Sequence, residues 1–383
     1  MTWSPALAAS QASLPIRLDH HRILIMGRVV GPRIDRDVAL WLDTGNPELW
    51  ITERLARELV PAAVRVLPDT LTLTGVLRLG GETLDLAHAG VARVIRDPSI
   101  APGLPALMNV PASLLREKEL EIDYPGRRVR LGAPESLRLT GDSIDAFVAP
   151  GSGLLSIPVD VGLGRVQMGL DIGASASFVR ASRACGGSGR AAGDVATGAF
   201  GSANLFGDAV EQRWRVVELA ELRLRGRSGG RALSRGLAVC LDDPSVRAIS
   251  ARGETDLQGL IGGNLLDGLR VGLSPARRLV VVRRVGPAMS RAWPGVTLHP
   301  LPSGAWEIGG ISVLNGRPLG GGAERGDTLE LVEGTPVHGL SMGAVWSLLA
   351  GGPRSVVAVV VRRRGARVRL SLPRARLQPR RLR

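Results

Sequence analysis

Two aspartates stand out as groups able to do chemistry. One lies in Ala39-Leu40-Trp41-Leu42-Asp43-Thr44-Gly45-Asn46, the other in Gln167-Met168-Gly169-Leu170-Asp171-Ile172-Gly173-Ala174-Ser175. In each, an apolar strand-like run ends in a carboxylate, followed by one residue and a glycine. A carboxylate leaving a buried strand is costly unless something hydrogen-bonds it or uses it. The glycine lets backbone come close beside it. One such carboxylate in each half of a repeated chain suggests a pair that meets across a pseudo-twofold axis.

Positioning such a pair takes two similar β units. From about Leu14 the chain reads as short strands, Arg22 to Met26 and then Val38 to Leu42 into the Asp43 turn. Thr52 is placed to cap a helix reaching Leu59. Alternation resumes over Leu71 to Leu79, Gly80-Gly81 reads as a hairpin turn, and Leu84 to Val94 follows. The half closes with Ala106-Leu107-Met108-Asn109, a short helix holding Leu114 and Leu115, and a hairpin from Leu120 to Leu131.

The second half repeats this order. Asp171-Ile172-Gly173 echoes Asp43-Thr44-Gly45, Leu222 to Gly226 echoes Leu77 to Gly81, and Asp243-Pro244-Ser245 echoes Asp97-Pro98-Ser99. Leu260-Ile261-Gly262-Gly263-Asn264-Leu265-Leu266 stands where Leu107 to Leu115 stood. Ser274-Pro275-Ala276-Arg277-Arg278-Leu279 matches Tyr124-Pro125-Gly126-Arg127-Arg128-Val129. The main length difference is a Gly-rich stretch, Gly193 to Gly207.

This pattern resembles the bacterial aspartic proteases, single-chain and two-lobed, of retropepsin-like or pepsin-like ancestry. The resemblance is carried by Asp43-Thr44-Gly45, by Asp171-Ile172-Gly173-Ala174-Ser175, and by Leu260-Ile261-Gly262 followed by Asn264-Leu265-Leu266. It implies a mainly β fold of two β-barrel lobes related by pseudo-twofold symmetry, over residues 14–140 and 154–285. It further implies that Asp43 and Asp171 are catalytic, activating a water to hydrolyse a peptide or protein substrate with no metal or organic cofactor. Thr44, Gly45, Gly173 and Ser175 would shape and support the two loops. Leu260, Ile261 and Gly262 would form the structural element that threads behind an Asp turn.

Three departures qualify that picture. Ile172 lacks the hydroxyl that Thr44 brings to the lock between the loops, so the lock is expected to be at best half made. Leu107-Met108-Asn109-Val110 stands where the first half should carry an apolar-apolar-Gly element. The flap segment between Val60 and Leu77 is short, leaving Gly198 to Gly207 as a substitute. A catalytically inactive peptide-binding or scaffold protein of the same fold is the competing expectation.

Residues 296–373 contain no third Asp turn. Arg325-Gly326-Asp327-Thr328-Leu329, Gly334-Thr335-Pro336-Val337, a helix from Ser341 to Leu349 and strands either side of Arg363-Arg364-Gly365 resemble a bacterial PDZ domain. That resemblance implies docking of a peptide terminus, although Ser303 to Val313 holds no clear Gly-apolar-Gly-apolar carboxylate loop. Residues 374–383 form a basic tail.

The chain has 383 residues and a net charge of +14, which raises nucleic acid or an anionic membrane as a partner. Yet Lys118 is the only lysine, and the arginine bias accompanies much Ala, Gly and Leu, as in a GC-rich genome. No basic motif interleaved with aromatics is present, so specific nucleic-acid binding is not expected. Gly186-Gly187-Ser188-Gly189 is not followed by Gly-Lys-Ser/Thr and reads as a connector, not a phosphate loop. The five histidines are scattered without ligand spacing. Cys185 and Cys240 lack zinc-module spacing and leave one disulfide or two buried thiols open. No apolar run reaches membrane-span length, and the single-chain enzyme is expected to be a monomer. The small-residue pattern of residues 1–12 resembles the end of a signal peptide, so a start upstream of Met1 would place the protein in the periplasm or outside. Otherwise it belongs in the cytoplasm.

Overall fold

Short apolar runs broken by glycine and proline fold here as strands, with few helices between them. The computed structural model describes residues 13–61, 65–96, 107–160, 164–184, 195–197, 213–226, 229–287, 292, 294–314 and 317–375. The architecture is mainly β, with two similar lobes and a smaller third unit, in agreement with the expected class. Asp97-Pro98-Ser99, Gly186 to Gly189, the substitute flap Gly198 to Gly207, Cys185 and the tail beyond residue 375 lie outside the described residues. Cys240 is disulfide-bonded, which decides between the two cysteine alternatives.

The repeat seen in the sequence is a repeat of strand topology. In the first lobe, Arg22–Gly31 and Ile34–Asp43 form a hairpin in continuous register from Ile23 opposite Leu42 to Gly31 opposite Ile34. Past the Asp turn the chain returns as Trp50–Thr52. Strand Met108–Pro111 then runs parallel to the Asp43 strand, with Met108 opposite Leu40 and Pro111 opposite Asp43, and antiparallel to Trp50–Thr52. In the second lobe Leu155–Asp160 pairs with Arg165–Leu170, which leads into Asp171. Strand Gly259–Ile261 lies parallel to Arg165–Leu170 and antiparallel to Ser177–Arg180. Each Asp turn is therefore clamped by a strand arriving from far along the chain.

Local chemistry sets the ends of the helices. Thr52 caps helix Glu53–Leu59, its hydroxyl accepting the Leu55 N–H. Helix Asp243–Gly253 is capped by Asp242, carries Pro244 in its first turn, and ends at Glu254 in the left-handed conformation.

The lobes share a six-stranded sheet built from the hairpin Glu119–Asp123/Arg128–Gly132 and its counterpart Leu269–Ser274/Leu279–Arg284. Where they meet, Leu120 faces Leu273 at one end and Asp123 faces Arg270 at the other, so the register is its own image under exchange of the lobes. Charge reinforces it. Arg270 forks onto the Asp123 carboxylate, while buried Glu119 accepts from the Ser274 hydroxyl at 2.6 Å and the Arg277 guanidinium at 2.7 Å. One hydrophobic core runs through both lobes and includes Leu42, Leu170, Ile172 and Ile261.

The third unit wraps strands Val296–Pro300, Trp306–Ile311, Thr328–Val332, Val356–Arg363 and Ala366–Pro373 around helix Met342–Leu349. It has its own core, with Trp306, Val345, Trp346 and Leu349. Arg374, at the start of the basic tail, donates to the carbonyls of Leu349 at 2.7 Å and Val356 at 2.9 Å.

This unit docks on the turn Asp19-His20-His21-Arg22 of the first lobe. Both histidines hold positive φ, 50° and 67°. Asp19 and Arg22 form a buried ion pair at 3.0 Å, and Asp19 Oδ1 also accepts the Gly343 N–H at 2.9 Å, in the first turn of the helix. The His20 ring stacks on Trp346 with centroids 5.0 Å apart. Removing one member of a buried pair strands the other charge, at a cost of about 3–5 kcal/mol. We expect Asp19→Ala to lose stability of that order in urea unfolding and to release the third unit to limited proteolysis. A loss below about 1 kcal/mol would show that water reaches Arg22 and that the junction is loose.

Candidate active site

Asp43 and Asp171 are brought together by the residues that follow them. A methyl group at Gly45 would lie 2.1 Å from the Asp171 carboxyl, and one at Gly173 would lie 2.5 Å from Asp43 Oδ1. Neither distance admits a carbon atom, so only glycine allows each turn to rest on the opposite carboxylate. Both aspartates are buried.

Thr44 links the turns. Its hydroxyl donates to the Leu170 carbonyl at 3.0 Å and accepts the Ile172 N–H at 3.1 Å. The expectation of a half-made lock describes this arrangement: one hydroxyl serves both bonds from the first-lobe side. Ile172 leaves no polar side chain stranded, because it is buried in the common apolar core.

The two carboxylates are held differently. Asp171 Oδ1 accepts the N–H groups of Gly173 at 2.9 Å and Ala174 at 3.0 Å. Asp43 has the Asn109 side-chain amide 3.5 Å from Oδ2. Asn109 is anchored, since its oxygen accepts the Trp50 N–H at 2.8 Å and its nitrogen donates to the Glu48 carbonyl at 2.9 Å. Burial raises both acids. Asp171 is pushed up to about 6, against the pull of backbone N–H donors. Asp43 is pushed well above the usual carboxylate range by burial first and the Asp171 charge second, opposed by Asn109, the Gly45 N–H and Asn46. Such a pair keeps one proton at neutral pH.

The two threading elements take corresponding positions in the two lobes. Leu260, Ile261 and Gly262 pass behind the Asp171 turn, where the Asp171 N–H donates to the Ile261 carbonyl at 2.9 Å. Strand register sets Asn109, Val110 and Pro111 as their first-lobe counterparts. The following N–H groups make matching bonds, Ala112 to the Asn46 carbonyl at 3.0 Å and Gly263 to that of Ala174 at 2.8 Å. The element that the sequence shows as missing is thus present in backbone form, with proline in the glycine position.

Ser175, expected to support the loop, is buried and its hydroxyl has no hydrogen-bond partner. Ser177 ties the loop down instead, accepting the Gly262 N–H at 2.9 Å and donating to Asn264 Oδ1 at 2.8 Å. Trp41 packs with Leu24, Trp50 and Ile95 in a cluster of its own.

Sequence reasoning missed two residues. Asn109 was visible only as a break in an apolar pattern, although a polar residue inside a buried strand needs partners and so signals a site. Tyr124 is buried within reach of Asp171, its phenol raised by burial and then by the charges of Asp171 and Asp267. Nothing in its hairpin context indicated that neighbour. Among the described residues, no group of three or more His, Cys, Asp or Glu side chains is gathered as metal ligands would be.

No family model and no curated protein matches the chain. Among solved structures, an aspartic proteinase from Irpex lacteus is similar over 72% of this chain and 97% of its own, at 13% identity and a TM-score of 0.45. A photosystem II D1 C-terminal processing protease is similar over 30% of each chain, at 27% identity and a TM-score of 0.20. The two-lobed architecture itself rests on this chain's own strand order and register.

Both acids sit above the value of about 3.9 found in an unfolded chain. The native state therefore binds more protons than the unfolded state once pH exceeds about 4, and the resulting stability, complete below that pH, is lost as pH rises through about 6. We expect Asp171→Asn to raise Tm by a few degrees at pH 7 relative to the parent chain, with the gain vanishing near pH 4. A difference independent of pH would show that the fold does not hold Asp171 protonated.

Proposed function

We propose that this chain is an aspartic endopeptidase in which Asp43 and Asp171 hold one water between them. The observation that carries the proposal is the reciprocal packing of the two Asp turns, each glycine against the other turn's carboxylate, with Thr44 bridging them. In the singly protonated pair, the ionised carboxylate takes a proton from the water as the water oxygen bonds to the scissile carbonyl carbon. The protonated partner gives its proton to the carbonyl oxygen, leaving a neutral tetrahedral intermediate. Collapse re-forms the carbonyl and breaks the C–N bond, and the departing nitrogen receives a proton from the pair. Burial keeps the exchange away from bulk water, where neither acid would retain a raised pKa.

An extended peptide fits this scheme by adding as a strand in the cleft between the lobes. The PDZ-like unit would then hold a peptide terminus or the substrate itself. Ile172 and Pro111, which stand where threonine or serine and glycine are expected, favour a second reading as a peptide-binding protein without catalysis. The single bridging hydroxyl of Thr44 and the preserved backbone around Pro111 support the catalytic one.

The deciding measurement is cleavage of casein and a peptide library between pH 3 and 8 by the parent chain, Asp43→Asn and Asp171→Asn. Each substitution is expected to reduce kcat/KM by about a thousandfold or more while circular dichroism stays native. The acid limb of the parent's pH profile should fall near pH 6, where the pair loses its first proton. Equal cleavage by the variants would overturn the proposal, and silence from folded protein at every pH would favour peptide binding alone.

A further inference from the structure

A small pocket open to solvent lies beside Asp171, lined mainly from the second lobe and by Gly45 of the first. Its walls are apolar, including Leu155, Ile249, Leu257 and Leu260, and its charged lining residues are Asp171 and Arg252. Resting on the endopeptidase reading above, we infer that this pocket selects an acidic side chain, with Arg252 as the residue that reads the charge.

Several observations converge on Arg252. It stands in the last turn of helix Asp243–Gly253, whose Val246 and Ile249 pack with Phe178, Leu257 and Leu260 in a small core. That packing fixes the helix and leaves Arg252 exposed at the pocket. The nearest acid in sequence, Glu254, is already committed, its Oε1 accepting the N–H groups of Gly151 at 2.8 Å and Ser152 at 2.9 Å. Those bonds pin the segment leading to Leu154 and Leu155 against the end of the helix, so one device shapes the wall and removes a competing carboxylate. Elsewhere on this surface Arg180 is paired with Asp243 and Asp256. Among the described residues Arg252 forms no ion pair or side-chain hydrogen bond.

Chemistry then favours one kind of occupant. Apolar walls take the methylene groups of a side chain, and a guanidinium binds a carboxylate at its tip through charge-assisted hydrogen bonds. Glutamine has the same shape without the charge, and lysine is repelled. A cation in the last turn also complements the helix dipole. That role alone would affect stability and leave substrate choice unchanged.

The test compares peptides that differ only as Glu, Gln or Lys at the positions flanking the scissile bond, using the parent chain, Arg252→Gln and Arg252→Glu. The parent is expected to prefer Glu over Gln about fivefold in kcat/KM at low salt, as suits a partly exposed pair, and less so at high salt. Arg252→Gln should bring the ratio to about one, and Arg252→Glu should favour Lys. An unchanged ratio in Arg252→Gln, or a change in Tm alone, would overturn the inference. If folded parent protein cleaves nothing, the endopeptidase reading fails by itself, and the same labelled peptides are ranked by fluorescence polarisation. Arg252-dependent preference for Glu in that binding assay would sustain the pocket's selectivity, and equal affinities would end it.

Discussion

Two carboxylates pressed together out of water are the constraint on which this structure depends. In a medium of low dielectric constant, two like charges in contact repel too strongly for both to persist, so the pair must retain a proton. Retaining it usefully requires that neither turn relax outward. Glycines without side chains allow the contact, the Thr44 hydroxyl spans it, and a strand from a distant part of the chain braces each turn from behind. The shared sheet beneath then holds the lobes in one register, with ion pairs at its ends where a slip would set charge against apolar side chains.

Upon that symmetric frame the side chains are deliberately unlike. Threonine faces isoleucine across the turns, asparagine in one threading strand corresponds to leucine in the other, and proline corresponds to glycine. The result is a pair in which one acid is approached by two side-chain amides as well as a backbone N–H, and the other by backbone N–H groups alone. Peptide-bond hydrolysis treats its two oxygens unequally, one arriving as water and one already on carbon. For the proposed hydrolysis, an environment that separates the two acids fits better than a perfectly symmetric one.

Much of this could be read from the sequence because the decisive features are local. An apolar run ending in Asp-x-Gly, a Tyr-Pro-Gly-Arg-Arg hairpin and its Ser-Pro-Ala-Arg-Arg echo, and Ser341 before an apolar helical run each carry their own punctuation. What stayed hidden is tertiary. Asn109 looked like damage to a motif until the fold brought its side-chain amide to Asp43. Ser175 and Ser177 are indistinguishable by spacing, and only the position of Gly262 shows which one bonds. His20 gave no sign of binding anything, because its partner Trp346 arrives more than three hundred residues later.

That separation has a consequence for how the chain is made. The turn carrying Asp19 belongs to the first lobe to leave the ribosome, while the helix that covers it is encoded 324 residues on. At ordinary synthesis rates of about 5–20 residues per second, the first lobe would spend roughly 15–65 s with the outer face of that turn in water. During that interval Asp19 and Arg22 are hydrated and cheap to keep, and the three-way junction does not yet exist. Only the finished polypeptide can dry them. Completion of the third unit thus doubles as an inspection of the first, since a lobe with a misplaced turn offers no acceptor to the Gly343 amide.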